Sequence, residues 1–355
     1  MKRGAITKMN QEFIEALKEI VKEKGIDENL LFTTIEDALV AAYKKNFMNT
    51  VGCSQNVKVT MNRENGDIHV YAQKNVVEDI EDFSNDMTLE EAKTINPVYQ
   101  IGDIVDIEVT PKTFGRVAAQ AAKQVVIQRI KEAERSIVYN EFIEKEYDII
   151  SGTILRKDKG NVLIDLGRLE AVLGPNEQIP NEEYIFNERI KLYIVEVKNT
   201  TKGAQIVVSR THPGLVKRLF ELEVPEIYNG TVEIKGISRE AGSRTKIAVH
   251  SNDENVDPMG ACVGPKGTRV QNIVNELKNE KIDIIKWSKL PEEFISNALS
   301  PAKTLDVTVD EDNKSAKVVV DDSQLSLAIG KEGQNVRLAA KLTGWKIDIK
   351  SKSQL

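Results

Sequence analysis

The chain has 355 residues, 41% of them hydrophobic and 29% charged, with a formal net charge of -6. That length suits two to four compact domains with several modest cores, and the composition is not that of a disordered chain. The acidic excess lies toward the front and residues 301–355 are nearly balanced, so neither end is strongly basic, and any affinity for nucleic acid is expected to be moderate and local, with a shallow salt dependence.

In chain order, Phe13, Ile14, Leu17, Ile20 and Val21 recur at helical spacing up to Gly25, and a second helix follows with Thr33 and Glu36 expected as its capping box. Alternating strands are expected over 57–61 and 68–72, then a short helix capped by Thr88 and Glu91, then a strand over 104–109. Residues 115–142 read as one long helix, expected to act as a spacer or arm. From 149 to 209 the texture changes to five short β-rich runs with Gly at their bends, the size and strand number of a small OB-type barrel. Arg156, Lys157 and Lys159 cluster in its first connection, Arg168 sits near the next bend and Arg210 follows the last strand. These are the expected RNA contacts of the barrel face, beside the alternative of solvated surface charge.

The last third contains an internal repeat. Val263-Gly264-Pro265-Lys266-Gly267-Thr268-Arg269-Val270 is echoed by Ile329-Gly330-Lys331-Glu332-Gly333-Gln334-Asn335-Val336, and each copy runs through a helix into the same tetrapeptide, Lys-Ile-Asp-Ile, at 281–284 and 346–349. Both copies read helix, strand, strand, helix, Gly-x-x-Gly, helix, strand. A Gly-x-x-Gly turn between helices lets a sugar-phosphate chain approach the backbone, and the first turn of the next helix offers unpaired amides and the positive end of its dipole. Lys266 and Lys331 add a mobile charge to each loop, and Arg269 and Arg337 stand on the following helices, with Thr268, Gln334 and Asn335 beside them. This is the phosphate clamp of KH domains, which hold about four nucleotides each. Val263, Val270, Ile329 and Val336 are the candidate walls for unstacked bases, whereas Trp287 and Trp345 read as core or edge packing. Glu332 should weaken phosphate contact at the second loop. Replacing Gly264 and Gly330 by Asp is expected to abolish binding of single-stranded RNA with the fold intact.

A lone Gly-x-x-Gly more often marks an ordinary turn; the duplication in one order of elements favours the clamp. No catalytic constellation accompanies it. Gly264-Pro265-Lys266-Gly267-Thr268 places Lys before Gly, against the P-loop order, and no Gly-x-Ser-x-Gly motif is present. His69, His212 and His250 fall in separate modules without metal-ligand spacing, so neither metal nor cofactor is expected. Cys53 and Cys262 match no disulfide pattern and read as small buried residues of a reducing compartment. No apolar run approaches a bilayer span and no apolar leader core follows Met1, so a cytoplasmic location is expected. The acidic group Glu78, Asp79, Glu81 and Asp82 reads as a solvated turn, with docking of a basic partner as the alternative.

The stretch Ser209-Arg210-Thr211-His212-Pro213-Gly214-Leu215-Val216-Lys217-Arg218-Leu219-Phe220-Glu221-Leu222-Glu223-Val224-Pro225-Glu226-Ile227, together with Asp257-Pro258-Met259-Gly260-Ala261-Cys262-Val263-Gly264 and Gly333-Gln334-Asn335-Val336-Arg337-Leu338-Ala339, resembles the NusA family of bacterial transcription elongation and termination factors over essentially the whole chain. Met259 stands where the family pattern leads one to expect Val, and Glu332 where it leads one to expect a basic or neutral residue. The resemblance implies a multidomain α+β fold: a domain over 1–145 that docks on core RNA polymerase, an OB barrel over 146–211, and two tandem type II KH domains over 212–289 and 290–355. It further implies a monomeric, non-enzymatic factor that follows nascent single-stranded RNA, works with other Nus antitermination factors, and modulates pausing, termination and antitermination. The end of the chain near Lys352 resembles the short form without C-terminal acidic repeats. An exoribonuclease with KH and OB modules would place KH before OB behind large catalytic domains; a ribosome-bound KH protein would have ribosomal subunits as its partner.

Overall fold

The computed structural model describes residues 2–47, 56–80, 82–180, 182–201 and 203–354, with their side chains from residue 11 onward; Cys53 and Glu81 lie outside the described residues. The chain divides into two compact units, residues 1–137 and 138–355.

The first unit contains helices α1 (Lys2–Lys24) and α2 (Glu28–Phe47), strands β1 (Val57–Met61), β2 (Ile68–Val77) and β3 (Asp86–Thr88), helix α3 (Leu89–Ile95), strand β4 (Ile104–Glu108) and the start of helix α4 (Phe114–Ile143). Strand β2 is central: β1 runs antiparallel and β3 parallel to it, and β4 pairs antiparallel along residues 71–75. Ile14, Leu17, Phe32, Ile35 and Leu39 pack with Phe114, Ala118, Ala122 and Val126, whose spacing of four sets one face of α4 into this core. The leading turns of α4 are therefore core, not a free spacer.

Thr88 and Glu91 form the expected reciprocal capping box at α3. The box expected at Thr33 and Glu36 does not exist. Helix α2 starts six residues earlier, after Gly25 (φ +64°), with the Leu30 amide donating to Asp27 Oδ1 at 2.9 Å. Thr33 therefore lies inside the helix and donates to the Asn29 carbonyl, while Glu36 accepts from the Met61 amide of β1.

In the second unit, β5 (Ile149–Asp158), β6 (Asn161–Asp165), β7 (Glu170–Leu173), β8 (Arg189–Thr200) and β9 (Gly203–Ser209) close into a five-stranded barrel in the order β5-β6-β7-β9-β8. Only β7 and β9 pair parallel. Ile154, Val162, Ile164, Leu173, Leu192, Ile194 and Val208 fill it, and Phe142 at the end of α4 belongs to the same cluster.

The first repeat copy is α5 (Pro213–Glu223), α6 (Pro225–Tyr228), β10 (Val232–Glu240), β11 (Arg244–Ser251), α7 (Pro258–Val263), α8 (Thr268–Glu276) and β12 (Lys281–Lys286). The second is α9 (Pro291–Ala298), β13 (Thr304–Asp310), β14 (Ser315–Val320), α10 (Leu325–Ile329), α11 (Gln334–Thr343) and β15 (Lys346–Ser351). In each, the first two strands are antiparallel and the repeated Lys-Ile-Asp-Ile forms the third, parallel to the second: Lys281 lies opposite Arg244 and Lys346 opposite Ser315. Helix α5 buries Leu215, Val216, Leu219 and Phe220, each worth about 1.5–3 kcal/mol of apolar burial.

Buried ion pairs join these modules. Arg210 is fully buried against Glu182 of the barrel and Glu276 of α8, and Lys246 of β11 donates to Asp283 (3.0 Å) and to the Ser300 carbonyl after α9 (2.7 Å). Within the first copy, Arg239 meets Glu280 through two 2.9 Å bonds, with both side chains at most 1% exposed. Removing one partner of such a pair leaves an unpaired buried charge, at a cost of about 3–5 kcal/mol.

Candidate nucleic-acid interface

The two Gly-x-x-Gly loops have one backbone conformation. Gly264 and Gly330 lie at φ/ψ 72°/174° and 77°/170°, Lys266 and Glu332 at 52°/25° and 53°/28°, and Gly267 and Gly333 at 77°/12° and 73°/16°. Each loop closes with the second glycine amide donating to the first glycine carbonyl, at 3.0 Å and 3.1 Å. The loop then enters α8 or α11, whose first-turn amides have no carbonyl of their own helix to meet.

The glycines of each pair serve different ends. A Cβ on Gly264 would stand 2.6 Å from Arg269 Cγ and one on Gly330 would stand 2.7 Å from the Asn335 nitrogen. A Cβ on Gly267 would meet nothing within 4 Å, and one on Gly333 only Val336 Cγ1 at 4.0 Å. The first glycine thus lets the loop pack on its own helix, while the second leaves an open strip of backbone. Substituting Gly264 and Gly330 therefore tests folding, contrary to the expectation that Asp there leaves the fold intact; the exposed Lys266 and Lys331 are the residues that test the clamp.

Aligned glycine on glycine, the two copies place different side chains at equivalent positions. Arg269 corresponds to Asn335, not to Arg337, whose counterpart is Gln271. Arg269 Nη1 donates to the Ala261 carbonyl (2.7 Å) and to Glu226 (2.9 Å). Asn335, 3% exposed, donates through Nδ2 to the carbonyls of Leu327, Ala328 and Leu299. Each ties the helix before the loop to the helix after it, so the Asn335 side chain is withdrawn as an RNA contact and Arg269 is held chiefly as a latch. Thr268 donates to the Pro265 carbonyl, whereas Gln334 and Arg337 reach out of their own module to Glu240 of β10. Pro265, Lys266, Thr268, Lys331 and Glu332 are exposed around the open strip. Val263 and Ile329 are each 37% exposed where α7 and α10 end, and Val270 and Val336 are half-buried in the first turn of α8 and α11.

In the barrel, Arg156, Lys157, Lys159 and Arg168 are exposed, with Arg168 paired to Glu141 at 3.2 Å. Arg210 is corrected. It is 0% exposed, bound to Glu182, Glu276 and the Lys191 carbonyl, and cannot reach a ligand. Trp345 is buried with Lys314 over its ring at 4.8 Å, and Trp287 packs edge-on to His250 at 5.2 Å. Asp82 accepts from the Ser84 amide and from Asn85, which holds its carboxyl below the usual range and makes it a turn residue. Cys262 is buried, which pushes its thiol up to about 12. Among the described residues no group of His, Cys, Asp and Glu has the geometry to hold a metal, and no helix is long and apolar enough to cross a membrane.

Comparison with known proteins agrees with this architecture. The NusA N-terminal domain matches residues 12–136, the NusA-like first KH domain residues 210–287 and the NusA-like second KH domain residues 291–355. The transcription termination/antitermination protein NusA of Halalkalibacterium halodurans is 60% identical over 98% of this chain and 90% of its own length. That of Bacillus subtilis is 59% identical over 97% and 92%, and that of Thermus thermophilus 44% over 96% and 89%. The solution structure of the N-terminal domain of NusA from B. subtilis matches at 51% identity with a TM-score of 0.32, covering 36% of this chain and 98% of that one. A barrel followed by two KH modules, matched along nearly the full length of such relatives, leaves one conclusion: the chain belongs to the NusA family of transcription termination/antitermination proteins.

Proposed function

We propose that the chain is an RNA-binding transcription factor that associates with core RNA polymerase and nascent single-stranded RNA and modulates pausing, intrinsic termination and antitermination. The observation that carries this reading is the pair of Gly-x-x-Gly loops with matching dihedrals, each with an open glycine facing out at the start of a helix. The exposed basic cluster of the barrel, Arg156, Lys157, Lys159 and Arg168, extends the path for the strand. The factor acts as a monomer in the cytoplasm, beside other Nus antitermination factors, and carries out no chemistry of its own. Its work is to hold RNA and polymerase together.

The test is co-purification of the full chain with core RNA polymerase and, separately, with ribosomal subunits, together with transcription through an intrinsic terminator. Association with polymerase and a changed readthrough fraction are expected. Association with ribosomal subunits alone, with unchanged readthrough, would contradict the proposal.

A further inference from the structure

The two loops share a backbone but not their neighbours. In the first copy, the residues equivalent to Gln334 and Arg337 bond within their own surroundings: Thr268 Oγ1 donates to the Pro265 carbonyl at 3.0 Å and Gln271 Nε2 to Asn275 Oδ1 at 2.9 Å. In the second copy, both donors converge on one carboxylate of the preceding module. Arg337 Nε donates to Glu240 Oε1 at 2.7 Å, and Gln334 Nε2 donates to Glu240 Oε2 at 2.8 Å and to Ser243 Oγ at 2.7 Å. Arg337 Nη1 also meets the Glu332 carbonyl of the loop itself, at 3.1 Å.

Glu240 is held in place by the fold. It is the last residue of β10, opposite Arg244 in the hairpin register. Helix α11 packs against this strand closely enough that a Cβ on Gly236 would stand 3.3 Å from Leu342 Cδ1. The Arg337 guanidinium holds the Glu240 carboxyl below the usual carboxylate range, so it is an anion across the physiological range.

A carboxylate that accepts from an arginine and an amide presents two anionic oxygens, as does the phosphodiester of an RNA strand. We propose that Glu240 is a resident stand-in for phosphate at the second loop, and that single-stranded RNA engages Arg337 and Gln334 there by displacing it. This rests on the reading of the loops as RNA clamps. The exchange is feasible because the pair is solvated, with the Arg337 side chain 56% exposed and that of Glu240 31%. Such pairs are individually weak. It also sets an order. The first loop carries the exposed Lys266, and the carboxylate on its Arg269, Glu226, belongs to its own module; this loop takes the strand first, and the second closes once the tethered strand is at high local concentration.

The test is fluorescence anisotropy of a labelled, unstructured single-stranded RNA of about 12 nucleotides, enough to span both KH modules at about four nucleotides each. Glu240→Gln keeps the size and an acceptor oxygen but removes the charge. It is expected to tighten binding by about two- to five-fold and to steepen the plot of log affinity against log salt by about 0.7. Glu240→Ala should move affinity in the same direction. Arg337→Ala should weaken binding, and adding Glu240→Gln to it should bring a clearly smaller gain, because most of the coupling runs through that guanidinium and only Gln334 remains to be released. Unchanged or weaker binding by Glu240→Gln, or a gain undiminished by Arg337→Ala, would overturn the proposal. If the unaltered chain binds no RNA, the clamp reading falls as well; if it binds and only the Glu240 variants show no gain, the stand-in alone falls.

Discussion

The two clamps superpose in backbone and differ in nearly every side chain that lines them. The first carries Pro265 and Lys266 where the second carries Lys331 and Glu332, is latched by Arg269 instead of the buried amide of Asn335, and has no carboxylate reaching in from another module. What is common is what a phosphate chain needs: a closed first glycine, an open second one and a helix start. What differs sets strength. The two copies keep one backbone device with different electrostatics, and a stronger first clamp with a weaker, gated second one is what the proposal expects of them.

The largest effect that would break this comparison concerns the latches. Gly264 and Gly330 lie in a conformation that is essentially glycine's alone, costing another residue on the order of 1–3 kcal/mol. At Gly330 the obstacle to a Cβ is backbone, the Asn335 nitrogen, whereas at Gly264 it is side chain, the stem of Arg269. Gly330→Ala is therefore expected to destabilise by about 3 kcal/mol and Gly264→Ala by about 2 kcal/mol, read from denaturant midpoints of the full chain. Equal losses, or a smaller one at Gly330, would refute the distinction.

A smaller effect sharpens the electrostatic contrast. Glu332→Lys replaces the carboxylate of the second loop by the charge that the first loop carries at Lys266. It should tighten RNA binding by about five-fold, near 1 kcal/mol, with a steeper salt dependence. An unchanged affinity would show that Glu332 faces away from the strand.

The smallest effect concerns Cys262, whose counterpart in the second copy is Ala328, buried like it. With its thiol pushed up to about 12, Cys262 holds almost no thiolate near pH 8. In a Cys53→Ser background, iodoacetamide at pH 8 should leave the folded protein unlabelled and modify Cys262 only in denaturant, as mass spectrometry would report. Labelling of the folded chain would contradict its burial.

Much of this was legible in the sequence because local rules govern it. The alternation of apolar residues marks the strands, Thr88 and Glu91 form a capping box at the spacing their sequence shows, and the repeated Lys-Ile-Asp-Ile is the third strand of each KH sheet. What was not legible depends on distant partners. Arg210 looks like a surface cation until Glu182 and Glu276, 28 and 66 residues away, are seen to enclose it. Glu240 meets Arg337 across 97 residues, through a packing of strand on helix that no local pattern announces. Thr33 and Glu36 match a capping box in spacing, but Asp27, just past Gly25, starts the helix first. The repeat alignment sets Arg269 against Asn335, and only their partners, the carbonyls of Ala261 and Leu299, identify both as latches.

The central claim, that the paired loops hold single-stranded RNA, is tested most directly by an anisotropy titration comparing the unaltered chain with the double variant Lys266→Asp, Lys331→Asp. Both side chains are exposed, and Asp tolerates the left-handed backbone of position 266, so the fold should persist. The account predicts that affinity falls by about tenfold or more with an unchanged unfolding midpoint. Equal affinity for the two proteins would contradict it.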